Sequence, residues 1–167
     1  MKSRLINLLL GSLAVLAAPA AAAERAAVFE FEFIDTSLDG ELLGMTAAEK
    51  SRIAMMAPMA RELLSHYGYE SVDIAPVADR ALHSNLQSCG MCDAAMAKEL
   101  GAKYAITGTV QKVSNLILNI NLYFREADTL KVVRIGSVDI RGNTDESWTR
   151  GIRYLVKNRL FKGIAPQ

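Results

Sequence analysis

Residues 26–34, AAVFEFEFI, alternate apolar and charged positions, with Phe29, Phe31 and Phe33 on one side and Glu30 and Glu32 on the other. A period of two predicts a half-buried strand with an aromatic face. The polar and glycine-containing stretch from Asp35 to Met45 reads as a loop. Thr46-Ala47-Ala48-Glu49 has the form of a capping box and opens a helix. Ile53, Met56, Ala60, Leu63 and Leu64 recur on it at helical spacing, Pro58 should kink or restart it, and Gly68 ends it. Tyr69 to Ile74 predicts a second strand, and Pro76 starts a short helix over Val77 to Leu82.

A polar link, His83 to Ser88, leads to Cys89-Gly90-Met91-Cys92, and a further helix pattern runs from Cys92 to Leu100. Tyr104 to Val113, Leu116 to Arg125 and Val132 to Arg141 predict three strands joined by short links, hence antiparallel hairpins. Thr144, followed by Asp145 and Glu146, caps a last helix with the stripe Trp148, Ile152, Leu155, Val156 and Leu160. The order is β-α-β-α-α-β-β-β-α. It implies an α/β (α+β) fold, with a mixed sheet of about five strands and helices packed on at least one face.

The amino terminus has a different character. Lys2 and Arg4 precede an apolar run from Leu5 to Ala18, then Pro19 and a string of alanines. The run, broken at Asn7 and by Gly11-Ser12, holds about 14 residues and falls short of the roughly 20 a membrane span needs. The pattern is that of a secretory signal peptide, residues 1–23, with cleavage after Ala23. Residues 24–167 are then expected to form one domain. Lys2 and Arg4 leave with the signal, so 19 basic and 18 acidic residues become 17 against 18. That near-neutral balance offers no electrostatic case for nucleic acid. The expected location is the periplasm, soluble after cleavage, with no transmembrane segment in the mature chain.

Several phrases carry a family resemblance. "AVFEFEF", "GYESVDI", the cysteine-bearing turn, "LGAKYAITGTVQKV" and "VVRIGSVDIRG" occur in a layout that resembles the amino-terminal domain of TolB. It is also similar to the related modules of CsgG and the penicillin-binding-protein activator lipoproteins. Nearer still, "LGAKYAITGTVQKVSNLILNINLYFRE" and "SVDIRGNTDESWTRGIRYLVKNRLF" resemble a family of exported proteobacterial proteins of unknown function. The resemblance implies a binding and docking module, not an enzyme. It also implies an association with periplasmic quinoprotein dehydrogenase systems. Two departures bear on what can be carried over: no propeller follows the domain, and no lipid-bearing cysteine stands near the cleavage point.

The chemistry-bearing residues are few. Cys89 and Cys92 are the two cysteines, and in an oxidising compartment an even count argues for a disulfide. The C-x-x-C spacing also permits thiol–disulfide exchange, although a loop precedes it where a thioredoxin-type motif would have a strand. Asp93 stands where haem attachment needs histidine. His66 and His83 lie outside zinc-binding spacings and read as surface residues. The methionines Met55, Met56, Met59, Met91 and Met96 are explained by helical packing better than by copper. Thr107-Gly108-Thr109 lacks a phosphate-loop frame, and no G-x-S-x-G turn occurs. Neither a cofactor nor a metal is expected.

Candidate binding residues come from polarity instead. Asn119, Asn121 and Tyr123 share one face of a strand whose other face is Leu118, Ile120, Leu122 and Phe124. With Thr109 and Gln111 on the neighbouring strand they define a candidate recognition surface, or an ordinary solvated sheet face. The loop containing Arg141, Asn143 and Asp145 combines helix capping with a candidate ligand-facing role. Arg150, Arg153, Lys157, Arg159 and Lys162 give the last helix a basic side. The leading expectation is a non-enzymatic periplasmic accessory module that docks to another envelope protein. A thiol–disulfide oxidoreductase or redox sensor at Cys89–Cys92 is the first alternative, and a periplasmic small-molecule carrier the second.

Overall fold

A computed structural model describes residues 22–167; the signal-peptide expectation falls almost wholly outside the described residues. Its centre is the strand run β1 (Glu24–Val28), β2 (Glu32–Asp35), β3 (Tyr69–Ser71), β4 (Tyr104–Lys112), β5 (Ile117–Glu126) and β6 (Val132–Arg141). The sheet order is β3-β1-β4-β5-β6, and β2 continues beyond β1 along the same side of β4. Pairings on the β3-β1-β4 side, and of β2 with β4, are parallel, while β4-β5 and β5-β6 are antiparallel hairpins. The mixed α/β class follows the sequence expectation, with six strands instead of five.

The additional strand arises from a break in the first expected one. Val28 pairs with Ile106 and Glu32 with Thr109, so three residues of the first segment oppose two of β4. One extra residue in a ladder is a bulge, and it reverses which side chains face which layer. Phe29 consequently packs with Ala27, Val77 and Met96 on one face of the sheet, and Phe31 and Phe33 pack on the other. The single aromatic face expected for 29, 31 and 33 is corrected by this. Phe31 lies flat over Gly108, where a β-carbon would come within 2.3 Å of its ring.

The face that carries Phe31 and Phe33, the first face, is covered by α2 (Ala47–Ser65) and by α5 (Asp145–Tyr154) with the π-helical turn Leu155–Leu160 that continues it. Met56, Ala60 and Leu64 meet Trp148, Ile152, Leu155 and Leu160 over Val28, Ile106, Val110, Ile120, Leu122 and Phe124. The stripes predicted on these helices are therefore their core contacts. Thr46 and Glu49 form the expected capping box. Helix α2 continues through Pro58 without the restart the sequence allowed. The carbonyl that proline leaves without a donor belongs to Ala54, and both residues are exposed, where solvent can supply the missing partner.

The second face carries less. A 3-10 turn (Ala75–Val77), α3 (Ala78–Leu82) and α4 (Cys92–Glu99) lie over the β1–β4 half, around Ala27, Phe29, Met96, Ala97 and Ala105. On the β5–β6 half of this face α4 reaches Arg125 through Asp93, while Asn119, Asn121 and Tyr123 stay part-exposed. The expected loop 35–45 also contains a short helix, α1 (Leu38–Leu43), capped by Ser37 accepting from the Gly40 amide. None of its residues is buried. A helix that touches no core shows no hydrophobic period, which is why the pattern along the chain hides it.

Candidate functional site

The uncovered half of the second face is built from register. Thr109, Asn121 and Ser137 form one cross-strand row, Gln111, Asn119 and Asp139 the next, and Thr107, Tyr123 and Ile135 a third. Asn119 Nδ2 donates to Ser137 Oγ at 3.0 Å and to Asp139 Oδ1 at 2.8 Å. Asn121 Nδ2 donates to Thr109 Oγ1 at 3.2 Å. These bonds fix the amides in orientation while leaving their residues part-exposed. Ile135, 62% exposed beside Tyr123, adds an apolar spot to a polar field. Gln111, Asn119, Asn121 and Tyr123 thus lie together, as the sequence suggested. Ile135, Ser137 and Asp139 join them from β6, which β-pairing supplies and the alternation within one strand could not reveal.

The cysteine turn borders the same face. Gln87, two residues before Cys89, donates from Nε2 to Thr107 Oγ1 at 3.2 Å and helps bury that threonine. Cys89 and Cys92 sit at bonding distance with Cα atoms 5.6 Å apart. The Cys92 amide, at the start of α4, donates to Cys89 Sγ at 3.2 Å. Next along the helix, Asp93 is buried and accepts from Arg125 Nε at 2.9 Å through one oxygen. Its other oxygen has no partner among the described residues.

The loop 141–146 divides. Arg141 belongs to the sheet edge, with its carbonyl accepting from Ser147 Oγ at 2.7 Å. Asn143 turns to the core face of the sheet, opposite the open one, while Asp145 stays exposed. Asn143 Oδ1 accepts from Trp148 Nε1 at 2.9 Å, and its Nδ2 donates to Glu49 Oε1 at 2.8 Å. Asp145 receives Arg52 Nε at 2.6 Å. Asn143 joins a network centred on Lys112, whose ammonium lies 2.8 Å from Glu49 and 3.0 Å from Asp35, and Arg52 links Asn143 to Asp145 at its rim.

Lys112 is 2% exposed and Glu49 1%. Burial pushes the Glu49 carboxyl up, but hydrogen bonds from Lys112, Thr46 and Asn143 outweigh it and bring it down to about 2. Burial likewise raises Asp35, and its bonds from Ser37 and Lys112 leave it below the ordinary carboxylate value. Lys112, lowered by burial, is carried above its usual value by the two carboxylates. All three groups stay charged through the neutral range, so the cluster holds structure together and offers no proton donor or acceptor near pH 7. The sequence analysis missed it. The available signal was a lysine at a core-facing position of β4, in line with Ile106 and Val110.

Among the described residues no group of three or more His, Cys, Asp or Glu could hold a metal ion. A cleft of about 320 Å³ lies beside the β1–β2 bulge, between Phe31, Phe33, Ile74 and Leu82. Its two carboxylates are engaged, Glu30 with Arg61 at 2.8 Å and Glu32 with the Leu86 amide at 2.6 Å. The volume is at the lower limit for a small-molecule site.

Comparison with known proteins finds structural likenesses at low sequence identity. The PelC dodecamer from Paraburkholderia phytofirmans superposes with a TM-score of 0.50 at 13% identity, over 87% of this chain and 96% of PelC. The LpoB C-terminal domain from Salmonella enterica gives 0.49 at 13% identity, over 73% and 85%. TolB from Acinetobacter baumannii gives 0.42 at 11% identity, over 84% of this chain but 29% of TolB. No curated protein matches the sequence. A family model does match, over residues 24–160: the chain belongs to the family DUF3280, described as a protein of unknown function (DUF2380).

Proposed function

We propose that this protein is an exported, non-enzymatic docking module that binds another envelope protein through the open half of its sheet. The observation that carries the reading is the asymmetry of the sheet. One face is sealed by α2 and α5, while the β5–β6 half of the other presents oriented amides around Tyr123 and Ile135. An enzyme of acid–base or nucleophilic type would hold a free titratable group at such a surface. Here Asp139 is engaged by Asn119, and the buried Lys112 network lies beneath the opposite face, locked in ion pairs. Among the described residues no helix is long and apolar enough to cross a membrane, in keeping with a partner met in solution or at a surface.

A photo-crosslinking amino acid at position 123, in the exporting cell, tests this directly. A discrete adduct that disappears with Asn121→Arg, while a crosslinker at exposed Glu62 yields none, supports the reading. A component of a quinoprotein dehydrogenase system is the first candidate to look for in that adduct. An adduct indifferent to Asn121→Arg removes the sheet face from consideration.

One observation favours a second reading, thiol–disulfide exchange. The Cys92 amide bond to Cys89 Sγ would stabilise a thiolate there after reduction. A reduction potential between about −120 and −230 mV matches exchange catalysts, whereas one below about −300 mV marks a structural bridge.

A further inference from the structure

Among the described residues, strand β6 has β5 on one side and no strand on the other. The Gly142 amide donates to the Leu116 carbonyl, continuing the β5–β6 ladder. Antiparallel alternation then turns the N–H and C=O of Ile135, Ser137 and Asp139 outward, away from β5. Such an edge is normally blunted by a proline, a bulge or a cover. This one is ten residues long and free of proline, and its register shift is confined to the Phe124/Arg125 level.

Beside the edge runs an open groove of about 710 Å³, flanked by Asp139 and Arg141 of the strand and by Arg150, Arg153, Tyr154 and Arg159 of the last helix. Two close approaches set the helix along the strand. A β-carbon on Gly151 would fall 2.5 Å from Ile140, and one on Gly136 2.9 Å from Leu160 and 3.5 Å from Arg159. Arg150 and Arg153 are thereby brought to the Ile140 end, next to Arg141, and Arg159 to the Gly136 end. Four guanidinium-bearing side chains thus border one unpaired strand.

Their charge is poorly answered from within. Among the described residues, Arg141 and Arg153 have no carboxylate within ion-pair distance. Arg150 reaches Glu146 at 3.3 Å with both side chains 78% exposed, and Arg159 sits 5.7 Å from the Tyr154 ring. Asp139, the one acid among the described residues lining the groove, already accepts from Asn119. In a chain near neutrality overall, that concentration of like charge selects an anionic occupant.

We propose that the groove takes an extended acidic segment of a partner protein as an added strand on β6, its carboxylates held by Arg141, Arg150, Arg153 and Arg159. Backbone bonds along the edge supply the register, and bidentate arginine–carboxylate contacts supply the selectivity. The repeat of outward donors and acceptors decides for a peptide over an anionic bilayer, which offers phosphates but no amide donors at strand spacing. The inference relies on the docking reading for the existence of a partner, and not on the sheet face for its site.

The test is fluorescence anisotropy with the purified exported protein and a labelled ten-residue probe, ETEVETEVET. The controls are its lysine counterpart and a version N-methylated at alternate residues. We expect the glutamate probe to bind at least about tenfold more tightly than the lysine probe, and binding to weaken with salt. Arg141→Ala with Arg153→Ala should cost about tenfold or more, and N-methylation should abolish binding. Asn121→Arg should leave probe binding unchanged, which separates this surface from the sheet face. Equal binding of the N-methylated probe would reduce the groove to a charge patch without strand addition. Absence of probe binding would leave the arginines as guards against self-pairing of the edge. Arginine-dependent sedimentation with phosphatidylglycerol vesicles, in place of probe binding, would assign the groove to a membrane surface. Each of these three results overturns the proposal.

Discussion

Lys112 and Asn121 both interrupt apolar strand sequence with a polar side chain, yet their surroundings have little in common. Lys112 is enclosed with Asp35, Glu49 and Asn143, and every charged neighbour has a named partner. Asn121 lies on the second face among Thr109 and Ser137, bonded on one side and open to solvent above. Removing a partner from the enclosed group strands a charge in a low dielectric, whereas removing one from the open group lets water take its place. Polar residues of the first kind specify the fold. Those of the second kind remain free to meet another molecule.

Substitutions should separate the two regions in graded fashion. Lys112→Met leaves Glu49 and Asp35 facing each other without a cation and should lower stability by about 3–5 kcal/mol. Urea unfolding of the variant measures it, and a loss under about 1 kcal/mol would show that the cluster is wetter than its burial implies.

Acid should reach the same cluster next. The Glu49 carboxyl is near 2 when folded and 4.5 when free, so below pH 4.5 the unfolded chain takes the proton first. Its stabilisation is complete above pH 4.5 and falls away toward pH 2, by up to about 3 kcal/mol. Asp35 acts in the same direction. Lys112 has the opposite sign, its share being present below pH 10.5 and lost above. Thermal unfolding from pH 6 to pH 2.5 should show the acid slope, and Glu49→Gln should flatten it.

Asn143→Ala removes bonds to Glu49, Trp148 and Arg52 together and should cost about 1–3 kcal/mol. A ligand-facing role for this residue would instead leave the melting temperature in place while partner capture changed. At the other extreme, Asn121→Arg should move stability by no more than about 0.5 kcal/mol. A larger loss would mean that the open face is part of the packed structure after all.

Much of the architecture was legible along the chain. The stripe Trp148, Ile152, Leu155, Val156 and Leu160 is fully buried, and the strands of the β4–β6 meander begin and end within a residue of their expected bounds. The candidate face was half legible: Asn119, Asn121 and Tyr123 stand out against the apolar side of β5, but their β6 neighbours do not. Asn143 reads in sequence like Asn121 yet is bonded into the enclosed network, while Asp145 stays exposed and reaches it only through Arg52. Polarity in sequence carries no sign of which polar groups will be covered.

Alternation and helical periods, and with them most elements, the mixed sheet and the α2 cap, can be read along the chain, because they depend on residues within a few positions of one another. The bulge that sends Phe29 and Phe31 to opposite faces cannot be read there, since it arises from register against β4. Only the tertiary structure decided which half of the second face stays bare and which arginines line an unpaired edge. Those outcomes depend on contacts between residues distant in the chain, which are settled only when the sheet and its helices pack as a whole.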